Sequence, residues 1–384
     1  MADGITNVVY NVTEELARRG HQVVVYTSNM LDLHGKDSIN ANHLIINRVD
    51  VHYSRSLWRY KTFIITPSMI PLLSNNIDNF DVVHIHDCRS FQGISAYLFA
   101  KTKKVPYVFQ PHGSFLSSLP ESPTPKIARV TLDRFISEKI VRNASKVVAL
   151  SRVEAEQYRG MGVPEEKIAV IPNGIDLSEY ADLPPKGSFK KKFGIDEDEK
   201  IILYLGRIHR IKGLDVLVKA FANIVEKLDD VRLVVVGPND GYLSELEALI
   251  NALKIDDNVL ISGPLYGKDK LEAYVDADIY VLPSRYEIWG MTVLEAVACG
   301  TPIILSENCG IAEYFKDKVG LVVKPDSNHL SEALLEMLLN HKRRSIFREN
   351  CKAVIEKFNI SKKVSVLEKV YEEMVRQPIL SMRR

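Results

Sequence analysis

Two carboxylates, Glu287 and Glu295, stand with seven residues between them in PSRYEIWGMTVLEAVACGTPIIL. The run VDADIYVLPS (Val275 to Ser284) closes on Pro-Ser and reads as a buried strand, whereas MTVLEAVAC has helical spacing that ends at Gly300. The first carboxylate then falls in the loop at the C-terminal end of the strand, and the second about a turn into the following helix. At ~1.5 Å of rise per helical residue, the two can sit roughly 10 Å apart and hold opposite ends of one extended ligand. Between them, Gly290, Met291 and Thr292 offer backbone N–H groups at a helix start, where the dipole favours an anion. A ligand with polyhydroxyl ends and a phosphate in the middle fits this arrangement, and a nucleotide sugar is such a molecule.

Further upstream, Arg207 and Lys212 flank the loop between a strand ending at Gly206 and a helix starting near Gly213. Two cations and a helix N-terminus aimed at one point make a cradle for a diphosphate. Taken alone, two loop cations are more often solvated charges. His112 sits where a strand ends in Pro-His-Gly-Ser-Phe, and a lone histidine is more often structural than catalytic. His84 and His86 share one face of a strand by alternation, but with only Asp87 beside them they make a poor metal site. Asp276-Ala-Asp278 lies at a helix-to-strand junction, and no metal is expected there or elsewhere. Gly267-Lys268 lacks the Walker glycine, and the absence of any G-x-G-x-x-G argues against a nicotinamide-binding enzyme.

The elements that must position these residues alternate between strand and helix, which favours parallel sheets covered on both faces. In the first half the strands are 21–27, the region 43–53, 81–87, 107–112, 146–150 and 167–173. In the second half they are 201–206, 232–237, 258–263, 278–284, 301–306 and 320–325. A Pro-, Lys- and acid-rich stretch, 183–200, reads as an exposed connection with a short helix. The domain boundary falls near Asp176, giving domains 1–176 and 177–360 and an amphipathic helix in 361–384. Asn173 and Gly174 shape the turn between the domains. Thr6 to Arg19 reads as a helix closed by Gly20.

Length and composition narrow the class. At 384 residues the chain suits two α/β domains. Nucleic acid is excluded as an expected partner, because 50 basic and 49 acidic residues leave a net charge of +1. Cys88, Cys299, Cys309 and Cys351 have neither C-x-x-C nor zinc-like spacing, as suits a reducing cytoplasm. No apolar run has the length of a membrane helix.

In E-I-W-G-M-T-V-L-E, and in PHGSF at 111–115, SRVEAE at 151–156, PNGID at 172–176 and YLGRIHRIKGLDVLVKAF at 204–221, the chain resembles the retaining glycosyltransferases of the GT-B fold, family 4. Trp289 stands where a Phe is commoner in that family. The resemblance covers nearly the whole chain, and it implies two Rossmann-like domains facing a cleft, with no metal required. It implies a hexosyl group moved from a nucleotide diphosphate sugar to a hydroxyl of a glycan or lipid-linked acceptor. It assigns Arg207 and Lys212 to the diphosphate, Glu295 to the ribose hydroxyls, and Glu287 with His112 to the donor sugar. Glu287 then serves in positioning and electrostatic help rather than covalent attack. Leu265 corresponds to a position whose backbone meets the nucleobase, though a core leucine is an equal reading. Gly4 lines the acceptor side, at the tail of a glycine-rich loop.

Relatives have a strand ahead of that loop, so the resemblance implies a natural start upstream of Met1 and a first strand missing here. It also implies that the C-terminal helix crosses back to the first domain. Two cationic stretches, 53–61 and 123–145, suit either an anionic membrane surface or solvated faces around an acceptor cleft. A sugar-nucleotide epimerase of the same fold and a non-catalytic nucleotide-sugar-binding protein are the competing readings.

Overall fold

The computed structural model describes residues 4–30, 38–60, 63–87, 90–113 and 136–381. Cys88 and most of the cationic 123–145 stretch lie outside these residues. The chain divides into two compact units, one made of 1–174 with 360–384 and the other of 175–359.

The first unit opens with the helix Gly4–Arg18, and its strands form two main sheets. Strands β1 (Val24–Ser28), β2 (His43–Ile46) and β3 (Val49–Ser54) pair in the order β1-β3-β2. The region 43–53 is thus a hairpin rather than one strand, because Asn47 and Arg48 both take positive φ (48° and 69°) and turn the chain in two residues. A small ribbon follows, β4 (Trp58–Tyr60) against β5 (Phe63–Ile65). The four-stranded sheet is parallel and sequential: β6 (Val83–His86), β7 (Tyr107–Gln110), β8 (Lys146–Ala149) and β9 (Ile168–Val170). Strand β7 stops at Gln110, short of the expected His112, because Pro111 has no N–H to give the ladder.

The last helix, Ile360–Ser381, belongs to this first unit. Its Val364, Leu367, Val370 and Met374 recur at helical spacing and are buried, the last three against Val108, Val148 and Ile171. Gly174, where the chain leaves the unit, needs its missing side chain, since a Cβ there would stand 2.7 Å from the Ile360 Cα.

In the second unit six parallel strands run in the order β12-β11-β10-β13-β14-β15. These are β10 (Lys200–Leu205), β11 (Val231–Val236), β12 (Val259–Gly263), β13 (Ile279–Leu282), β14 (Ile303–Ser306) and β15 (Gly320–Val323). The four inner strands β10, β11, β13 and β14 are buried on both faces, hence the nearly continuous Val, Ile and Leu of their sequence, whereas the edge strand β12 is only partly buried. From β10 the chain moves outward through β11 to β12, then returns to β13 on the other side of β10. The switch point therefore lies between β10 and β13, and the crevice at the carboxyl ends of these strands is the place where such sheets bind ligands.

The acidic pair of the D-x-D segment is structural. Asp276 is buried and accepts the N–H groups of Gly187 (2.5 Å) and Lys190 (3.0 Å), fastening the helix Ser188–Phe193, and Asp278 accepts from Ile201 N–H (3.0 Å) at the start of β10. Replacing Asp276 with Ala leaves two N–H groups without their acceptor, at about 1–3 kcal/mol each. Asp276→Ala is expected to lower the denaturation midpoint of the second unit by an amount equivalent to about 2–6 kcal/mol, whereas a change within error would show that water replaces the carboxylate.

Candidate functional site

The loops after β10 and β13 meet at the switch point. Pro283 ends β13, and the Arg285 N–H donates to the Ile211 carbonyl at 2.9 Å, so the loop after β13 lies against the one after β10. Arg285 also forms a forked ion pair with Asp215 (2.6 Å), at the start of the helix Leu214–Val225. Gly213 caps that helix with φ +72°, and a Cβ there would stand 2.2 Å from the Pro283 carbonyl oxygen. Only glycine allows the two loops to approach in this way.

Across this junction the Lys212 ammonium is ion-paired with Glu287, both side chains about 15% exposed (16% and 14%). Glu287 is held at its backbone as well, donating N–H to the Asn308 carbonyl (3.2 Å) and accepting at its carbonyl from Gly310 (2.8 Å). Arg207 is 61% exposed and ion-paired with Asp240, so its guanidinium stands at the rim of the loop. Arg207 and Lys212 thus each have a carboxylate partner.

Gly290 caps the helix Met291–Ala298 and leads into it in extended backbone; a Cβ at Gly290 would crowd Leu282 (2.8 Å) and Val293 (3.1 Å). The Thr292 hydroxyl shares a 2.6 Å hydrogen bond with Tyr280, which also reaches the Leu205 carbonyl at 3.3 Å. Glu295 lies one turn into this helix, 14% exposed. Lys270 binds one of its oxygens and the Tyr274 hydroxyl donates to the other, both at 2.9 Å. A carboxylate has about four lone-pair sites, so two remain for further donors. Leu265 is half-buried two residues past β12. Gly206 closes β10, its N–H donating to the Val236 carbonyl (2.9 Å), and the Tyr204 hydroxyl donates to the Arg207 carbonyl (2.8 Å).

Sequence reasoning missed the second layer: Asp240, Lys270, Tyr204, Tyr274 and Tyr280. The tyrosines are fully buried, and burial raises their hydroxyls above the ordinary range, so they stay neutral donors. Burial likewise raises the Cys299 thiol to about 12, with Glu295 adding to the effect. Trp289 is a packing residue, buried between Tyr314 and Phe358 with ring centroids 5.7 and 6.0 Å away.

In the first unit His112 lies in the left-handed region (φ 52°), two residues beyond β7, followed by Gly113 (φ 82°). The buried Glu154 carboxylate holds this turn by accepting the N–H of Gly113 (2.8 Å) and of Leu150 (2.7 Å). His112 is not alone. Its Nε2 shares a 2.8 Å hydrogen bond with His86 Nδ1, the His86 ring stacks on His84 at 4.1 Å, and His84 Nδ1 meets the Tyr371 hydroxyl at 2.7 Å. Desolvation, aided by the neighbouring rings, pushes His84 and His112 well below the ordinary imidazole range, and desolvation brings His86 down to about 4. Gly4 begins the first helix, is exposed, and would have nothing within 4 Å of a Cβ.

A family model described as glycosyl transferases group 1 matches residues 185–374, and one described as glycosyltransferase family 4 matches residues 2–179. An uncharacterized glycosyltransferase of Methanocaldococcus jannaschii is 28% identical over 377 residues, which is 95% of this chain and 93% of that protein. The D-inositol 3-phosphate glycosyltransferase of Xylanimonas cellulosilytica is 29% identical over 310 residues, 78% of this chain and 73% of its own. Among solved structures, Anabaena HepE in complex with UDP and glucose shares the fold, with a TM-score of 0.76 at 16% identity over 97% of this chain and 96% of that one.

The neutral histidines make stability depend on pH. An unfolded imidazole takes up its proton near pH ~6.5, whereas folded His86 does so only at about 4. Between these values the unfolded state holds a proton that the folded state lacks, so stability present above pH ~6.5 is lost as the pH falls. The His86 contribution is on the order of 3 kcal/mol by pH 4. Denaturation midpoints measured from pH 7 to 4 should fall less steeply in His86→Gln than in the native chain; equal slopes would mean that His86 titrates normally.

Proposed function

Because the chain belongs to the GT-B-fold glycosyltransferase superfamily of groups 1 and 4, we propose that it transfers a hexosyl group, with retention, from a nucleotide diphosphate sugar to a hydroxyl of a glycan or lipid-linked acceptor. The observation that supports the donor assignment is that the segments following β10 and β13 at the switch point carry two cations, two carboxylates and a helix N-terminus, with Lys212 ion-paired to Glu287 across the two loops.

In this reading the diphosphate lies by Arg207 and Lys212, with the N–H groups at the start of the Met291–Ala298 helix completing the cradle. Lys212 has three N–H donors, so it keeps Glu287 in place while it meets a phosphate oxygen. Their combined positive potential stabilises the nucleotide diphosphate as the glycosidic bond breaks and its charge grows. Glu295, fixed by Lys270 and Tyr274, presents its remaining lone pairs to the two ribose hydroxyls. Glu287 orients the hexose and offers negative charge to the electron-poor anomeric carbon, so that the acceptor hydroxyl attacks from the face the leaving group vacates and passes its proton to the departing phosphate oxygen. Leu265 is assigned to the base, and His112 to the hexose by the family likeness. We place the enzyme in the cytoplasm. Leu57 and Trp58, exposed beside Arg55 and Arg59, suit an acceptor presented at an anionic surface.

Thermal-shift titration with UDP, GDP, ADP and their common sugars tests this reading. One base should give a clear shift, since ligand at ~100 times its dissociation constant stabilises the folded state by roughly 2.7 kcal/mol. Glu295→Ala and Arg207→Ala should each weaken that binding at least ~10-fold, a loss of about 1.4 kcal/mol. Donor affinity left intact in both variants would overturn the site assignment. Retention is read from the anomeric configuration of the product by NMR.

A further inference from the structure

A second cluster of chemistry-bearing side chains lies in the first unit, on a sheet that carries none of the residues assigned to the donor. The two-residue turn Asn47-Arg48 fixes the register of the β2–β3 hairpin, pairing Ile46 with Val49, Ile45 with Asp50, Leu44 with Val51 and His43 with His52. Directly opposed residues share a face, and so do residues two apart on one strand. His43, His52 and Asp50 therefore project together from the same side of the hairpin. The other side carries Val49 and Val51, which are buried in a small apolar cluster with Ala17.

Both imidazoles aim Nε2 at one oxygen. His43 Nε2 is in close contact with Asp50 Oδ1, and His52 Nε2 lies 3.2 Å from the same atom. The three ligand atoms all fall within 4.8 Å of one another, and the two imidazole rings lie 4.8 Å apart. Tyr26, on β1, stacks on His52 at 5.2 Å and limits that ring's movement. Donor atoms around a tetrahedral zinc stand about 3.4 Å apart, so small side-chain rotations bring this trio onto one ion. Solvent reaches all three, with side-chain exposures of 47% for His43, 41% for Asp50 and 27% for His52.

We propose that His43, Asp50 and His52 form a binding site for a divalent transition metal, zinc above all, that clips the edge strand β2 to β3. Two imidazoles and one carboxylate suit zinc, nickel or copper, and they disfavour magnesium and calcium, which prefer all-oxygen shells. Three protein ligands leave a fourth position for water. The ion binds only where the hairpin register brings the ligands together, so it stabilises the folded first unit.

The chelator-treated full chain is titrated with zinc by calorimetry and with cobalt(II) by its visible d–d absorption. One equivalent is expected, with a rise in Tm, and His43→Ala and Asp50→Asn should each raise the dissociation constant at least tenfold. The fold of each variant is checked by circular dichroism. Should His43→Ala fail to fold, His52→Asn is the second variant, and loss of the cobalt band in it supports the site equally. Binding of one equivalent that survives in all three variants would locate the ion elsewhere and overturn the proposal. So would the absence of saturable binding in the native chain.

Discussion

The ion pair between Lys212 and Glu287 is the contact on which the second unit's site depends, because it ties together two loops that leave neighbouring strands and belong to different windings of the sheet. The strand order alone brings those loops near one another, through the switch between β10 and β13. Proximity does not set orientation. That comes from the pair itself, from the Arg285–Asp215 fork beside it, and from Gly213, whose missing side chain admits the Pro283 carbonyl. Removing either charge would leave the other largely out of solvent and unpaired, which costs more than the pair contributes.

Beneath those loops lies a floor of buried tyrosines, and it explains how a site of polar groups is held without flexible supports. Tyr204 binds the Arg207 carbonyl, Tyr280 meets Thr292, and Tyr274 meets Glu295. Each ring is packed in the core while its hydroxyl reaches upward, so rigid apolar packing positions the polar atom. The same burial keeps the hydroxyls protonated and donating. Tyr274 is itself anchored, since the Thr301 hydroxyl donates to its carbonyl at 2.6 Å. The Gly-Thr-Pro turn after the helix thus anchors the tyrosine that holds Glu295.

Much of this was legible in the sequence because it is local. Strand, glycine and helix start follow one another within the twenty-odd residues around Glu287 and Glu295, and periodicity suffices to place both carboxylates. Lys270 and Tyr274 were not legible: their helix comes from another stretch of chain, and nothing in GKDKLEAYVD shows that it faces Glu295. The histidines teach the same lesson. Alternation along β6 puts His84 and His86 on one face, but their partners His112 and Tyr371 arrive from 26 and 287 residues away. In HLIINRVDVHY a single strand was expected because Asn-Arg is a weak turn signal beside Asn-Gly, and reading through the turn hid the pairing of His43 with His52.

The return of the last helix gives the first unit a different physical character from the second. The second unit is one unbroken stretch, 175–359, whereas the first closes only when 360–381 joins it. That helix buries Leu367, Val370 and Met374 on the four-stranded sheet and ties Arg19, near the chain start, to Glu368 and Ser361. The Arg19 contacts span more than three hundred residues, so their loop-closure entropy is met only after the intervening unit has been made, and compaction of that unit shortens the effective loop. Tyr371 carries the consequence to the histidines. The hydroxyl that meets His84, and through His84 the stacked His86 and His112, is delivered by the last element of the chain. The histidine turn therefore takes its final arrangement only once the helix 360–381 has docked, whichever sheet of the first unit forms first.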